Sequence, residues 1–467
     1  MQRLEQLEKT KRNVSNVPTP LQSSALDTQT PEQVRAPQSV SRDFLQKVLE
    51  IHRKLIDEAK LHNLNLNVDF SNKDEVKKAR ANVEKELITL VERLHPESSR
   101  KEKGDLIQAV INETVGLGPL ENLVNDESIS EIMVNGFNNI YIEQKGLIQK
   151  TNTLFYDNDH VKHIIQRIVS NVGRRIDESM PMVDARLKDG SRVNAIIPPL
   201  ALSGPTLTIR KFRDSSFNSK DLVAFGSFSP EMEEFMKLAV MSRMNVLVSG
   251  GTGSGKTTLL NILSSFIPST ERIITIEDSA ELRLRQDHVI TLESRPANIE
   301  GSGEIRIRDL VKNALRMRPD RLIVGEVRGG EALDMLQAMN TGHDGSMTTA
   351  HANTPQDSIL RLETLVLMSG FELPIRAIRQ QISSAIDIIV QVSRMQDGSR
   401  KVISITELNG LEGDAVLSKE IFGYRQTGFD ERTKKIEGSF YAAGLVPSCA
   451  KKMIERGLTV PQNLFKA

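Results

Sequence analysis

The sequence predicts an α/β chain: a main domain on a parallel sheet, preceded by a small α+β domain and an N-terminal helical bundle. Three observations carry this. From about Pro230, the short apolar runs "NVLVSG", "RIITIED" and "DRLIVGE" each end at a polar cluster and alternate with helical stretches, as buried parallel strands do. Between 116 and 213, helix mixes with turn signals and β-rich runs such as "NIYIEQ", "RLKDGSRVNAIIPP" and "GPTLTIRKF". Ahead of these, apolar residues recur at helical spacing.

Taken in order, residues 1–40 are rich in Ser, Thr, Gln and Pro, and their few apolar side chains cannot offset the entropy of ordering. A disordered arm is expected there. Over 41–112 the stripe Phe44, Val48, Leu55, Ala59 is followed by Val76, Ala79, Val83, Leu87, Leu90, Leu94, and then by Leu106, Val110, Ile111. Three short amphipathic helices must bury these stripes together, as a three-helix bundle or as a coiled coil with a partner. The small α+β domain covers 116–213, and 214–229 reads as a linker. The main domain runs over 230–425 and a C-terminal extension over 426–467. No tandem repeat is present.

Bulk properties set limits. A length of 467 residues suits two to four domains, and 39% hydrophobic with 26% charged residues fits a soluble globular protein. Lys plus Arg is 61 and Asp plus Glu is 61, so no global basic field draws in nucleic acid or a membrane surface. The lone Cys449 excludes an internal disulfide framework and a cysteine zinc site within one chain, and reads as a small buried hydrophobe. The start, "MQRLEQLEKTKRN", lacks the apolar core of a signal peptide, and no run approaches the ~18 apolar residues of a membrane span. A cytoplasmic protein is expected, with any membrane contact made through partners.

The strongest motif is "GGTGSGKTT", from Gly250 to Thr258, which fits G-x-x-x-x-G-K-[ST]. The apolar run "NVLVS" precedes it and the helical "TTLLNILSSF" follows, the strand–loop–helix setting this motif requires. Gly250, Gly251, Thr252, Gly253, Ser254 and Gly255 would let backbone N–H groups converge on phosphate oxygens at a helix N-terminus. Lys256 would reach the β- and γ-phosphates, and the Thr257 hydroxyl would ligate Mg²⁺, with Thr258 beside it. The motif by itself says that a nucleoside triphosphate is bound.

Two acidic segments follow. "TIEDSAEL" puts Glu277 and Asp278 just past one apolar run, and "RLIVGEVRGGEA" puts Glu326 just past another. In an open parallel sheet, ligands sit beyond the carboxyl ends of the strands, so all three acids should face the phosphate loop. Hydrolysis needs a metal, a positioned water and charge neutralisation. Glu277 is the candidate to orient or deprotonate the water, and Glu326 the candidate for the Mg²⁺ shell through water; the two roles could be exchanged. Many P-loop ATPases carry an acidic pair where this chain has Gly325-Glu326, which raises the weight on Glu277 and Asp278.

"TGHDGSMTTAHANT" holds His343 and His351. The H-x₇-H spacing suits zinc poorly, with Asp344 as the sole near third ligand. His351 closes the apolar run "SMTTAH" and should lie at the ligand edge, where an imidazole N–H can bond the γ-phosphate or Glu326. His343 would act at a subunit interface or brace its loop. A pair of structural histidines is the plainer alternative.

Phosphate loop, acidic box, second acidic strand and histidine box stand in one order. Together with "ESRPANIEGSGEIRIRDLVKNALRMRPDRLIVGEVRGGEALDMLQAMNTGHDGSMTTAHAN" (Glu293–Asn353), they make the chain resemble the secretion ATPases of type II and type IV systems and type IV pili. The resemblance is nearest to the assembly ATPases of tight-adherence (Tad/Flp) pili and covers roughly Leu106 to Ile421. It implies a homohexameric ring, a RecA-like ATPase domain with ATP and Mg²⁺, and a PAS-like small domain. Nucleotide would lie between the two domains. Glu277 and Asp278 match the family's Asp box, Glu326 its Walker B acid, and His343 and His351 its His box. Small-domain arginines would complete the site, and Arg186, Arg192 and Arg210 fit. A guanidinium on the γ-phosphate neutralises transition-state charge. Implied partners are inner-membrane platform proteins, with pilin moved indirectly. The single cysteine departs from relatives that carry a four-cysteine zinc element. Rival readings are a type IV secretion traffic ATPase, a RecA-like DNA-dependent ATPase, and a nucleotide switch that barely hydrolyses. Balanced charge and the lack of tryptophan speak against the DNA-dependent enzyme.

Overall fold

The computed structural model describes residues 42–62, 73–144, 146–187, 189–212, 217–297 and 302–466. The arm expected at 1–40 lies outside the described residues. Helices α1 (Arg42–His62), α2 (Lys73–Leu94) and α3 (Arg100–Val115) open the chain. Their stripes meet within the chain: Val48, Ile51 and Leu55 of α1 pack with Val83, Leu87 and Leu90 of α2 and with Leu106 and Val110 of α3. Ser99 caps α3, its side chain accepting from the N–H of Glu102.

The small domain follows directly. It contains α4 (Glu121–Asn125), β1 (Ile129–Asn135), β2 (Ile140–Gln144), β3 (Leu147–Lys150), α5 (Asn158–Ser170), β4 (Met182–Arg186), β5 (Arg192–Ile196) and β6 (Thr206–Arg210). The strands form a six-stranded antiparallel sheet in the order β3-β2-β1-β6-β5-β4. One face is closed by α5, whose Val161, Ile164, Ile165 and Ile168 pack on Ile132, Val134, Val193 and Leu207 of the strands. The bundle is fastened to this domain where α3 ends. Arg167 of α5 donates to the carbonyls of Glu113 (2.7 Å) and Gly116 (2.8 Å), satisfying acceptors a helix C-terminus leaves open.

Part of the expected linker is helical: α6 (Ser219–Ala224) starts with a reciprocal capping box between Asn218 and Asp221. The main domain then runs through α7 (Pro230–Met241), β7 (Val246–Gly250), α8 (Lys256–Ser264), β8 (Ile273–Glu277), β9 (Val289–Glu293), α9 (Ile307–Ala314), β10 (Arg321–Val324), α10 (Glu331–Asn340) and β11 (Met347–Ala350). It continues with α11 (Pro355–Leu367), α12 (Ile375–Ala385), β12 (Ile388–Arg394), β13 (Arg400–Glu412), β14 (Ala415–Asp430), β15 (Lys435–Ala442) and α13 (Cys449–Glu455).

Nine strands make one sheet in the order β15-β14-β13-β12-β7-β11-β10-β8-β9. From β12 to β9 neighbours are parallel, and β13 to β15 add an antiparallel wing. Helices cover both faces, which explains why β7, β8, β10 and β11 are buried at every position and read as unbroken apolar runs. Val248, Ile273, Ile323 and Ile388 lie in one core and Leu247, Ile274, Val324 and Ile389 in the other. Each such side chain contributes roughly 1.5–3 kcal/mol. The boundary expected at 425 falls inside β14. The tail also returns to the sheet: Phe465 packs against Phe235 and Phe422, and Cys449 and Met453 join the same core. Among the described residues, no helix is long and apolar enough to cross a membrane.

Because β7, β8, β10, β11 and β12 run parallel, their carboxyl ends share one edge of the sheet. That edge is where the sequence-predicted site residues gather.

Candidate active site

The loop after β7 turns through two left-handed positions, Gly253 (φ +70°) and Gly255 (φ +96°), which only glycine adopts without strain. The loop delivers Lys256, Thr257 and Thr258 as the first turn of α8, where helix N–H groups and the macrodipole favour an anion. Ser254 ties the loop to itself through Oγ and the Gly251 carbonyl (2.8 Å). Lys256 Nζ donates to the carbonyls of Gly250 and Gly251, each at 3.0 Å. Burial pulls the Lys256 pKa down, opposed by the field of Glu326.

His351, the residue after β11, places both ring nitrogens within 3.4 Å of Lys256 Nζ. Its Nε2 lies 2.7 Å from Glu326 Oε1, out of hydrogen-bond alignment, and that buried oxygen finds no hydrogen-bond partner among the described residues. Burial lowers the His351 pKa, against the pull of Glu326. The second oxygen of Glu326 accepts from Arg328 Nε (2.7 Å). Arg328 also lies 3.6 Å from Asp278, which is held by the Ser294 hydroxyl (3.0 Å).

Glu277 ends β8 and is 4% exposed. Its carboxylate accepts from the backbone of Glu281 (2.9 Å) and Leu282 (3.2 Å), across its own loop. Burial nevertheless pushes its pKa up to about 7. The side chain also accounts for Gly325. A Cβ there would stand 2.7 Å from Glu277 Cγ, so the place of the absent acid is taken by Glu277 itself.

The three small-domain arginines form one row. Arg186 pairs with Arg192 across β4 and β5, and Arg192 with Arg210 across β5 and β6. The row continues through Glu131 of β1 to Glu143 of β2. Side chains directly opposite on neighbouring strands share a face, and like charges there repel unless an outside partner neutralises them. For two of them that partner is the loop after Glu277 together with the end of β9. Arg186 pairs with Glu293 and donates to the Ala280 carbonyl (2.8 Å), and Arg192 pairs with Glu281 (2.9 Å). Arg210 is exposed and has no carboxylate within 4.0 Å among the described residues.

His343 goes elsewhere. It precedes β11 whereas His351 follows it, so the two histidines stand at opposite edges of the sheet. β11 spans the distance between His343 and this chain's own phosphate loop, so a contact of His343 with nucleotide is left to a neighbouring subunit. The His343 backbone braces the turn, N–H to the Ala338 carbonyl (3.3 Å) and carbonyl from the Ser346 hydroxyl (2.7 Å).

The geometry adds residues that sequence reasoning passed over: Arg328, Glu281, Glu293, Arg394 and Arg400. The rule applied to Glu277 and Glu326, a charge at the carboxyl end of an apolar run, holds equally for Glu293 after "VITL" and for Arg394 after "IIVQVS".

Residues 113–439 match the family described as "Type II/IV secretion system protein". A Mycobacterium tuberculosis protein, provisionally named for conjugal transfer, is 36% identical over 313 residues, covering 66% of this chain and 88% of its own length. The type IV secretion system protein PtlH of Bordetella pertussis is 34% identical over 324 residues, covering 63% and 95%. Among solved structures, the VirB11 ATPase of the Brucella suis type IV secretion system is 29% identical, covering 62% and 91%, with a TM-score of 0.34. With a match across the small domain and the whole parallel sheet, this chain belongs to the type II/IV secretion system ATPase family.

Proposed function

We propose that the chain is the motor ATPase of a tight-adherence (Tad/Flp) pilus, working as a homohexamer on an inner-membrane platform and moving pilin indirectly. The observation that carries the reading is the meeting of two domains at one site. Lys256, Glu326 and His351 stand together, and the small domain's Arg186 and Arg192 rest on the loop that follows Glu277.

The residues suit ATP and Mg²⁺. Glycines open the cradle, Thr257 lies in the first turn of the helix, and the buried Glu326 Oε1, without a hydrogen-bond partner among the described residues, can accept from a metal-bound water. Mg²⁺ would neutralise charge on the β- and γ-phosphates. Lys256 would leave the loop carbonyls for those phosphates. Glu277, with a pKa of about 7, is matched to taking a proton from the attacking water near neutrality. Its carboxylate must first turn from the Glu281 and Leu282 N–H groups. His351 would sense the γ-phosphate against Glu326. Of the three arginines, Arg210 has no carboxylate within 4.0 Å among the described residues and is the one to meet the γ-phosphate as the domains close; Arg186 and Arg192 serve docking. Hydrolysis removes those contacts and the domains part, a ligand-biased closure that a ring turns into work.

Electron microscopy of cells carrying Lys256→Ala tests this, alongside turnover by the purified hexamer. The substitution is expected to remove surface pili and to cut turnover by about 10²–10³-fold. Cells that still build pili would overturn the reading. A second reading, a type IV secretion traffic ATPase, draws on relatives named for conjugal transfer and type IV secretion. Pili retained with conjugation or protein secretion lost would select it.

A further inference from the structure

The charged row across the small domain changes sign along its length: Arg186, Arg192 and Arg210, then Glu131 and Glu143. The surface it meets changes sign the other way. At the arginine end stand Glu293 and Glu281. At the glutamate end stands the β12–β13 hairpin, where Arg394 and Arg400 face each other directly across the ladder.

Two arginines opposite each other are unfavourable alone. Neither has a carboxylate within 4.0 Å among the described residues. What holds them is backbone on two sides. Arg400 Nε donates to the Gly253 carbonyl in the phosphate loop (3.0 Å). Arg394 Nη2 donates to the Gly146 carbonyl in the β2–β3 turn of the small domain (3.3 Å). The field of Glu143 supports the charge of Arg400 against burial and against Arg394. The hairpin is rigid at this point: β12 pairs with β7 up to Val392 opposite Gly250, and Asp397 fixes the turn by accepting from the Ser399 N–H (2.9 Å) and hydroxyl (2.6 Å).

We propose that Arg394 and Arg400 are positioning residues that tie the shape of the phosphate loop to the small domain, forming the second anchor of a polarity-matched docking strip. Arg400 holds the loop from outside. Arg394 holds the turn of the small domain from the same hairpin. Nucleotide that reshapes the loop then shifts the small domain at its glutamate end, while the Arg186–Glu293 and Arg192–Glu281 pairs act as the pivot.

The proposal rests on ATP binding at the phosphate loop. The test uses the full chain, a fluorescent ATP analogue for affinity and hydrogen exchange with a non-hydrolysable ATP analogue. Arg400→Ala is expected to weaken the analogue by about tenfold, the worth of one charge-assisted hydrogen bond. Arg394→Ala should bind within about twofold of wild type and lower kcat with KM little changed. In it, nucleotide should protect 250–258 as before but no longer protect the β2–β3 turn. Glu143→Gln, remote from the loop, should reproduce that loss at the turn, so misfolding of an arginine variant does not decide the matter. Variants that bind and protect both segments as wild type does would overturn the proposal. A wild-type chain that fails to bind the analogue would instead overturn the nucleotide reading beneath it.

Discussion

The two edges of the parallel sheet both carry buried polar side chains, and the principal ones are treated in opposite ways. At the amino edge Arg321, wholly buried at the start of β10, gives its guanidinium to Glu271, to the Val240 carbonyl (2.9 Å) and to the Gly345 carbonyl (3.3 Å). Asn245 donates to the Ala385 carbonyl (2.7 Å) and accepts from the Ser346 N–H (2.9 Å). These two side chains are satisfied on several sides, as buried polar groups that hold a fold usually are. At the carboxyl edge a Glu326 oxygen has no hydrogen-bond partner among the described residues, Glu277 is driven to a pKa of about 7, and Lys256 rests on two carbonyls of its own loop. Charges held short of satisfaction are ready for a ligand.

The largest effect expected from this contrast is at the amino edge. Arg321→Ala leaves Glu271 with the partly exposed Arg243 (3.2 Å) in place of its fully buried partner, and takes the guanidinium from the Val240 and Gly345 carbonyls. Breaking a buried pair from one side costs about 3–5 kcal/mol. Calorimetry without nucleotide should show the main transition lowered by on the order of 10 °C. A loss below about 1 kcal/mol would show that this edge is not saturated, and the contrast would fail.

Next comes Glu277. Its folded pKa of about 7 exceeds the ordinary 4.5, because burial outweighs its two backbone hydrogen bonds. Between those values the folded chain keeps a proton that the unfolded chain has released. The associated stability is full below about pH 4.5 and is lost as pH rises through about 7, a cost of up to roughly 3 kcal/mol. Glu277→Gln stays neutral and can still accept from Glu281 and Leu282. It is expected to match wild type at pH 4.5, to exceed it at pH 8, and to hydrolyse ATP more slowly at both. Denaturation midpoints whose difference does not grow with pH would remove the strain argument.

Much of this site was legible in the sequence because the edge rule is local. An apolar run long enough for one buried strand, with a polar residue at its end, places Glu277, Glu326 and His351 without knowledge of strand order, and the glycine-rich motif places Lys256. The same rule is silent on His343, which lies before its strand. The arginine row was legible only as three separate residues. Its alignment depends on antiparallel register across β4, β5 and β6, set by turns many residues apart. The tail reads as a separate extension for a similar reason. Nothing near 426–467 announces that Phe465 will reach Phe235 or that β14 continues the sheet. In the same way, Gly325 reads as a missing acid until Glu277 is seen packed over it.

The smallest effect is the sharpest comparison, since it sets two histidines of one motif against each other. His351→Ala removes a ring wedged between Lys256 and Glu326, at 3.3 and 2.7 Å. ATP affinity should stay within about threefold while kcat falls by about 10²-fold, the worth of one donor aimed at developing charge. His343→Ala removes a ring whose buried Nδ1 has no hydrogen-bond partner among the described residues, and it leaves the bracing backbone bonds in place. It should change stability by no more than about 0.5 kcal/mol, as for a substitution away from any network, and leave kcat within about twofold. Steady-state kinetics and thermal melts on the two variants decide between the edges. Equal loss of turnover in both would mean that the amino edge of one chain works at another chain's nucleotide, and the division drawn between scaffold and site would have to be redrawn around the ring.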